Sequence, residues 1–100
     1  MEGSYAVNWE GFDGREHSGR LDVLPGAMHL EGGNGSGPVV CDIPYEELAE
    51  VRVTRQIDER LRGLPTLVLR RHGGGTLRVA TIAVPGALAD LAEQLLRQLP

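Results

Sequence analysis

The C-terminal segment constrains the fold of this chain more than any other feature. Residues 87–99 carry an apolar stripe at helical spacing, and polar side chains occupy the opposite side. The stripe consists of Leu88, Leu91, Ala92, Leu95 and Leu99. Upstream, glycines divide the chain into short segments, a pattern that favours many turns over a few long helices. The chain is therefore predicted to be mainly β, with one amphipathic helix covering the end of its core.

Seven upstream segments have the alternation or the β-forming composition of strands. They are residues 5–9, 17–24, 27–31, 38–43, 49–57, 65–71 and 76–82. Three connections between them are predicted to be a helical turn opened by proline, a flexible glycine-rich connector and a polar loop; these are residues 44–48, 32–37 and 58–64. We predict a single domain over residues 1–100, a seven-stranded bent antiparallel sandwich or partly open barrel capped by one C-terminal helix.

The predicted core follows from these periodicities. In residues 49–57, the alternation places Val51, Val53 and Ile57 on one face, with Arg52, Thr54 and Gln56 on the other. Across the chain, the expected core residues are Trp9, Leu21, Val23, Val51, Val53, Leu67, Leu69, Leu88, Leu91 and Leu95.

Charge and composition exclude some classes of partner. The formal net charge is -4, which argues against nucleic acid and against a polybasic membrane patch. Every residue in the Lys and Arg count is Arg; a high-GC bacterial genome explains this, and selection for bidentate anion contacts is the alternative. The single cysteine, Cys41, lies in an apolar run and is expected to be a small buried hydrophobe. No bilayer-spanning run or signal peptide is visible, so the expected compartment is the cytoplasm.

The order of elements resembles the pleckstrin-homology-like (PH-like) fold of bacterial domains. The resemblance is carried by GRLDVLPGAMHLEG, IPYEELAEVRV, PTLVLRRHGGGTLRVATI and the final helix. It implies two sheets bent over one core, with the helix plugging one end. Phosphoinositide-binding members use basic residues on the first hairpin, whereas residues 9–20 here hold three acids against two arginines. Specific phosphoinositide binding is therefore not expected.

An arginine-rich stretch supplies the first candidate site. If the last three strands form a meander, Arg52, Arg70 and Arg78 share one face with Thr54. That face either binds an acidic partner or anion, or is a solvated surface balanced by nearby glutamates, which we expect to be Glu46, Glu47 and Glu50. Phe12, between glycines in the first loop, is either a partner anchor or a residue folded back onto the core.

The remaining polar residues indicate neither catalysis nor metal binding. His17, His29 and His72 have no short ligand spacing, and no nucleophile or phosphate-loop motif is present. We expect a non-enzymatic module with no cofactor, binding a protein or peptide along residues 49–57, with Leu88, Leu91 and Leu95 lining the floor of the groove. The alternatives are self-assembly into a homo-oligomer through the same edge and weak binding of an anion or lipid headgroup by the arginine face.

Overall fold

The seven strands form one antiparallel sheet that is curled into a half-barrel. The computed structural model describes residues 3–33, 35, 37–54, 56–82 and 86–99. The elements are β1 (Ser4–Glu10), β2 (Glu16–Val23), β3 (Ala27–Gly33), β4 (Pro38–Pro44), β5 (Leu48–Thr54), β6 (Thr66–Arg71), β7 (Thr76–Thr81) and α1 (Ala87–Gln98). The order of the strands in the sheet is β4-β3-β2-β1-β7-β6-β5. The predicted fold class is confirmed. The two expected sheets are joined into one, because β1 pairs with β2 on one side and with β7 on the other.

Two glycines allow the sheet to curl between β2 and β3. Gly19 and Gly32 are cross-strand partners. A Cβ added to Gly19 would lie 2.0 Å from the carbonyl oxygen of Glu31, and one added to Gly32 would lie 2.1 Å from that of Ser18. Only glycine permits this approach of two backbones. The predicted connector over residues 32–37 is therefore wrong at its start, since β3 extends through Gly33; Asn34 and Ser36 lie outside the described residues.

The core occupies the concave side of the sheet and confirms most of the predicted set. Nine of the ten predicted residues are buried, namely Trp9, Leu21, Val23, Val51, Leu67, Leu69, Leu88, Leu91 and Leu95. Val53 is the exception, at 43% exposed. Its pairing with Leu67 turns its side chain inward as predicted. Because β5 is an edge strand, however, solvent replaces the next strand beside Val53.

The segment after β5 departs from the predicted strand over residues 49–57. The strand ends at Thr54, and a 3-10 turn follows over Ile57–Glu59. The hydroxyl of Thr54 accepts a hydrogen bond from the Gln56 backbone N–H and donates one to Glu59. This local bonding competes with continuation of the strand. Ile57 is consequently 81% exposed, and Arg55 lies outside the described residues.

Helix α1 packs mainly against β5, and also against β6 and β7. Its buried face consists of Leu88, Leu91, Ala92 and Leu95, as the spacing predicted. The hydroxyl of Tyr5 in β1 donates a hydrogen bond to Asp90 in the first turn of the helix. Burial, and then this hydrogen bond, raises the pKa of Tyr5 to about 12. Among the described residues, no helix is long and apolar enough to cross a membrane.

Candidate functional site

The three predicted arginines share the outer, convex face of the sheet. Arg52 and Arg78 both pair with Val68 of β6, so the three residues form one row across β5, β6 and β7. Arg70 lies two residues beyond Val68 on the same strand, and its side chain therefore emerges on the same face. Glu10 of β1 extends the row beyond Arg78. The predicted meander and the shared face are both confirmed.

Each of these arginines contacts a carboxylate. Two guanidinium nitrogens of Arg52 donate to Glu59 at 3.2 and 2.8 Å, and those of Arg78 donate to Glu10 at 3.1 and 2.5 Å. The carboxylate of Glu50 lies between Arg52 and Arg70, 3.5 Å from the first guanidinium and 3.8 Å from the second.

This ion network neutralises the arginine face. Hydrogen bonds from Arg52, and then from Thr54, lower the pKa of Glu59 to about 2, so its carboxylate stays charged. Of the three glutamates expected to balance the arginines, only Glu50 belongs to this network. Its other two carboxylates are those of Glu10 and Glu59. Guanidinium donors already held by carboxylates are poorly placed to recognise an added anion.

Of the other predicted contact residues, Thr54 is buried and Phe12 is half-buried. Thr54 is 2% exposed, so its predicted place on a partner-binding surface is wrong: the turn that Glu59 closes covers it. Phe12 is half-buried and packs against the core, with the guanidinium carbon of Arg71 4.0 Å above its ring. This cation–π contact supports the folded-back alternative for Phe12.

The predicted peptide groove is only partly present. Among the described residues, β5 pairs with β6 alone, so its other side is free. Leu91 and Leu95 are completely buried beneath α1 and Leu88 nearly so. The expectation that these leucines line a groove floor is therefore wrong, because the helix lies directly on the sheet. The large apolar side chain that is exposed on β5 itself is that of Val53.

A second site, absent from the sequence predictions, is a cavity of about 300 Å³ on the concave side. Its apolar lining includes Trp9, Phe12, Val39, Cys41 and Leu77, and its polar lining includes Asp13 and His17. These side chains come from β1, β2, β4, β7 and the first loop, so no single segment of the sequence predicts the cavity. Burial raises the pKa of the Cys41 thiol, which keeps that part of the lining uncharged.

His17 is the polar group buried in this cavity lining. It is 7% exposed, and its Nδ1 atom has no hydrogen-bond partner among the described residues. Its ring lies against the indole of Trp9, with centroids 5.2 Å apart. A sequence signal for this burial existed: His17 is in phase with Leu21 and Val23, which belong to the buried face of β2.

His29, unlike His17, has close polar partners and lies on the outer surface. His29 of β3 lies between Asp42 and Glu31, with ring nitrogens 2.5 and 3.1 Å from their carboxylate oxygens. These hydrogen bonds, Asp42 first, raise the pKa of His29. Within the described part of the chain, no group of three or more potential ligands is arranged to hold a metal ion.

Comparison with known proteins defines the class at the level of fold. No family model matches the chain, and no curated protein matches it. Similar solved structures include the C-terminal domain of an unknown protein from Leishmania infantum, with a TM-score of 0.68 and 15% sequence identity over 94% of this chain and 82% of that chain. At this identity the similarity shows a shared fold and carries no statement about activity.

Proposed function

We propose that this chain is a non-enzymatic interaction module that binds an extended peptide segment of a protein partner along the β5 edge, beside α1. One observation carries the proposal. The inward-facing row that runs from Trp9 through Val79 and Leu67 ends at Val53, which is 43% exposed. An apolar core row that stops at a free sheet edge can be completed by an added strand.

Strand addition supplies both parts of recognition. The side of β5 that faces away from β6 carries backbone N–H and C=O groups available for pairing. Main-chain hydrogen bonds give affinity, and alternate side chains of the added strand give specificity. The residue placed beside Val53 would be apolar, because that position continues the core row. The preferred ligand is thus an extended segment with apolar residues at alternate positions.

The same edge supports the proposed kinship with PH-like domains. In the peptide-binding members of that family, the segment lies between the fifth strand and the C-terminal helix. Here α1 packs chiefly on β5, so the helix lies beside the strand that the segment would pair with. The proposal places the module in the cytoplasm, since its single cysteine, Cys41, can form no internal disulfide.

The test uses a displayed library of random peptides, followed by amide hydrogen exchange with one selected peptide. We expect selection of alternating apolar sequences and new protection within Leu48–Thr54. Val53→Arg should weaken binding about tenfold or more, because it buries a charge against the added strand. Val40→Arg is the matched control: Val40 is 60% exposed on β4, the opposite edge strand, and its change should leave binding unaltered.

Three outcomes would overturn peptide binding at β5. Protection confined to β4, or equal losses in the two arginine variants, would remove the assignment to this edge. A molar mass that rises with concentration in light scattering and becomes monomeric in Val53→Arg would make a second copy of the chain the occupant. Self-assembly, the competing proposal, needs no peptide and uses the same unpaired strand.

A further inference from the structure

The strand β4 forms the edge of the sheet opposite the proposed peptide site, and its residue Asp42 lies directly across from His29 of β3. Just past the β3–β4 ladder, the N–H of Tyr45 donates a hydrogen bond to the carbonyl oxygen of Gly26 at 3.2 Å. Because hydrogen-bonded pairs alternate with non-bonded pairs in an antiparallel ladder, the His29–Asp42 pair is of the non-bonded kind. Side chains approach most closely across such pairs, so the backbone itself brings the imidazole and the carboxylate together.

Carboxylates bracket the imidazole of His29 on both sides. Its Nδ1 atom lies 2.5 Å from Asp42 of β4, and its Nε2 atom lies 3.1 Å from Glu31 of β3. Asp22 of β2 is the cross-strand neighbour of His29 on the other side. Arg20 contacts Asp22 at 3.1 Å and Glu31 at 3.4 Å, so those two carboxylates share a guanidinium. Among the described residues, no arginine forms an ion pair with Asp42, and protonated His29 supplies its compensating charge.

Both ring nitrogens of His29 can donate to these carboxylates only when the ring is protonated. An imidazolium donates from two nitrogens, whereas the neutral ring donates from one and presents a lone pair at the other. After loss of the proton, one carboxylate oxygen would therefore face a lone pair and lose its hydrogen bond. The hydrogen bond to Asp42, and then that to Glu31, raises the pKa of His29 above its ordinary value of 6.5. The contacts are thus fully present below pH 6.5 and are lost as the pH rises through the folded value.

We propose that His29 is a pH-sensitive latch, which in its protonated form ties the edge strand β4 to β3 through Asp42 and which loosens that strand when the proton is lost. β4 is the strand that responds because, among the described residues, it pairs with β3 alone. Segments with few neighbours open locally at the smallest cost in free energy. Val39 and Cys41 of β4 line the cavity on the concave side, so a rise in pH loosens one wall of that cavity as well.

The test measures amide hydrogen exchange by nuclear magnetic resonance between pH 5 and 9, in the wild type and in His29→Gln. The reporters are the N–H groups of Val39, Cys41 and Ile43, which the alternation of the ladder directs to β3. Comparing the two proteins at each pH cancels the base catalysis of exchange. We expect the wild-type reporters to be protected about two- to fivefold better at pH 5 to 6, the range of a partly exposed ion pair. The ratio should fall toward one as the ring proton signals of His29 show it losing its proton.

Two further variants separate the latch from a general effect of charge. Asp42→Asn keeps the histidine but removes the carboxylate on β4, so protection of the reporters should fall at pH 5 to 6 and vary less with pH. His72→Gln removes another titratable ring, which is exposed at the turn after β6, and should retain the wild-type profile. The amide of Val79, in the middle of β7, is the internal control and should respond to none of the three changes.

Three results would overturn the proposal. They are a protection ratio between wild type and His29→Gln that does not vary with pH, an equal change at Val79 and at the β4 reporters, and the same loss of pH dependence in His72→Gln. An equal change at Val79 would mean that the ion pair stabilises the whole fold and not β4 in particular. None of these results bears on peptide binding at β5, which Val53→Arg tests separately.

Discussion

At the scale of single residues, Glu59 organises the outer face. It accepts two hydrogen bonds from Arg52 and one from Thr54, the last residue of β5. The carboxylate is therefore a partner both for the guanidinium of Arg52 and for the buried hydroxyl of Thr54.

The pH dependence of stability should report this role of Glu59. Its pKa is lowered from 4.5 to about 2 in the folded state, so its contribution is fully present above pH 4.5 and is lost as the pH falls toward 2. Glu59→Gln should flatten this acid limb of the unfolding free energy, measured by denaturant titrations between pH 2 and 6. Arg52→Gln, which removes the largest cause of the shift, should flatten it too; an unchanged slope in both variants would contradict the assignment.

Gly19 should be the least replaceable glycine in the sheet. Gly19→Ala places a Cβ 2.0 Å from a backbone oxygen of β3, and we expect a loss of about 3 kcal/mol or more in unfolding free energy. The control is Gly14→Ala, at a turn with φ of 81° and open space around it, where only backbone strain of about 1 kcal/mol is expected. Chemical denaturation measures the unfolding free energy of both variants. An equal loss in Gly19→Ala and Gly14→Ala would show that β2 and β3 can move apart at little cost in free energy.

At the scale of elements, α1 contributes to stability through one face only. Leu95 is completely buried against the sheet, whereas its neighbour Leu96 is 52% exposed. The helix is thus held by packing, together with the Tyr5–Asp90 hydrogen bond that joins its first turn to β1.

Adjacent leucines of α1 provide a matched pair of substitutions. Leu95→Ala should lower the unfolding free energy by about 2–5 kcal/mol, because it leaves a cavity beneath the helix. Leu96→Ala should cost less than about 1 kcal/mol, since half of the side chain already faces water. Thermal and urea unfolding of the two variants measure the difference, and comparable losses would place the helix in a different rotation on the sheet.

At the scale of the whole molecule, the sheet is completed by residues from nearly opposite ends of the chain. β1 pairs with β7, placing Trp9 opposite Val79. The first four strands form one meander and the last three another, and the β1–β7 ladder joins the two. The fold therefore depends on contacts between distant segments, which carry a large loop-closure cost before they form.

Folding should accordingly be slow for a chain of this length. We expect a single refolding phase on a timescale of roughly milliseconds to seconds, because sheet closure through non-local contacts limits the rate. Trp9 fluorescence and far-UV circular dichroism in stopped-flow mixing should give the same rate constant. A tryptophan signal that is complete before the circular dichroism changes would show that β1 and β7 pair early.

Local periodicity predicted the elements and the direction in which most side chains point. It did not predict which residues from distant segments pack against those side chains. Val53 points inward as its alternation indicated, yet its exposure depends on which strand ends the sheet, and that is decided by pairing at long range. Parity likewise placed Arg52 and Arg78 on one face. Their carboxylate partners, by contrast, come from β1 and from the turn after β5. The cavity escaped prediction for the same reason, since its walls meet only in the folded sheet.

The close crossing of β2 and β3 also has an evolutionary consequence. The atoms that exclude a side chain at Gly19 and Gly32 are backbone atoms, so no substitution at a neighbouring position can relieve the clash. Related sequences that keep this curl should retain both glycines together, thirteen positions apart, whatever happens to the arginine network or the cavity. This pair of glycines would then identify relatives that share the fold better than any functional side chain does.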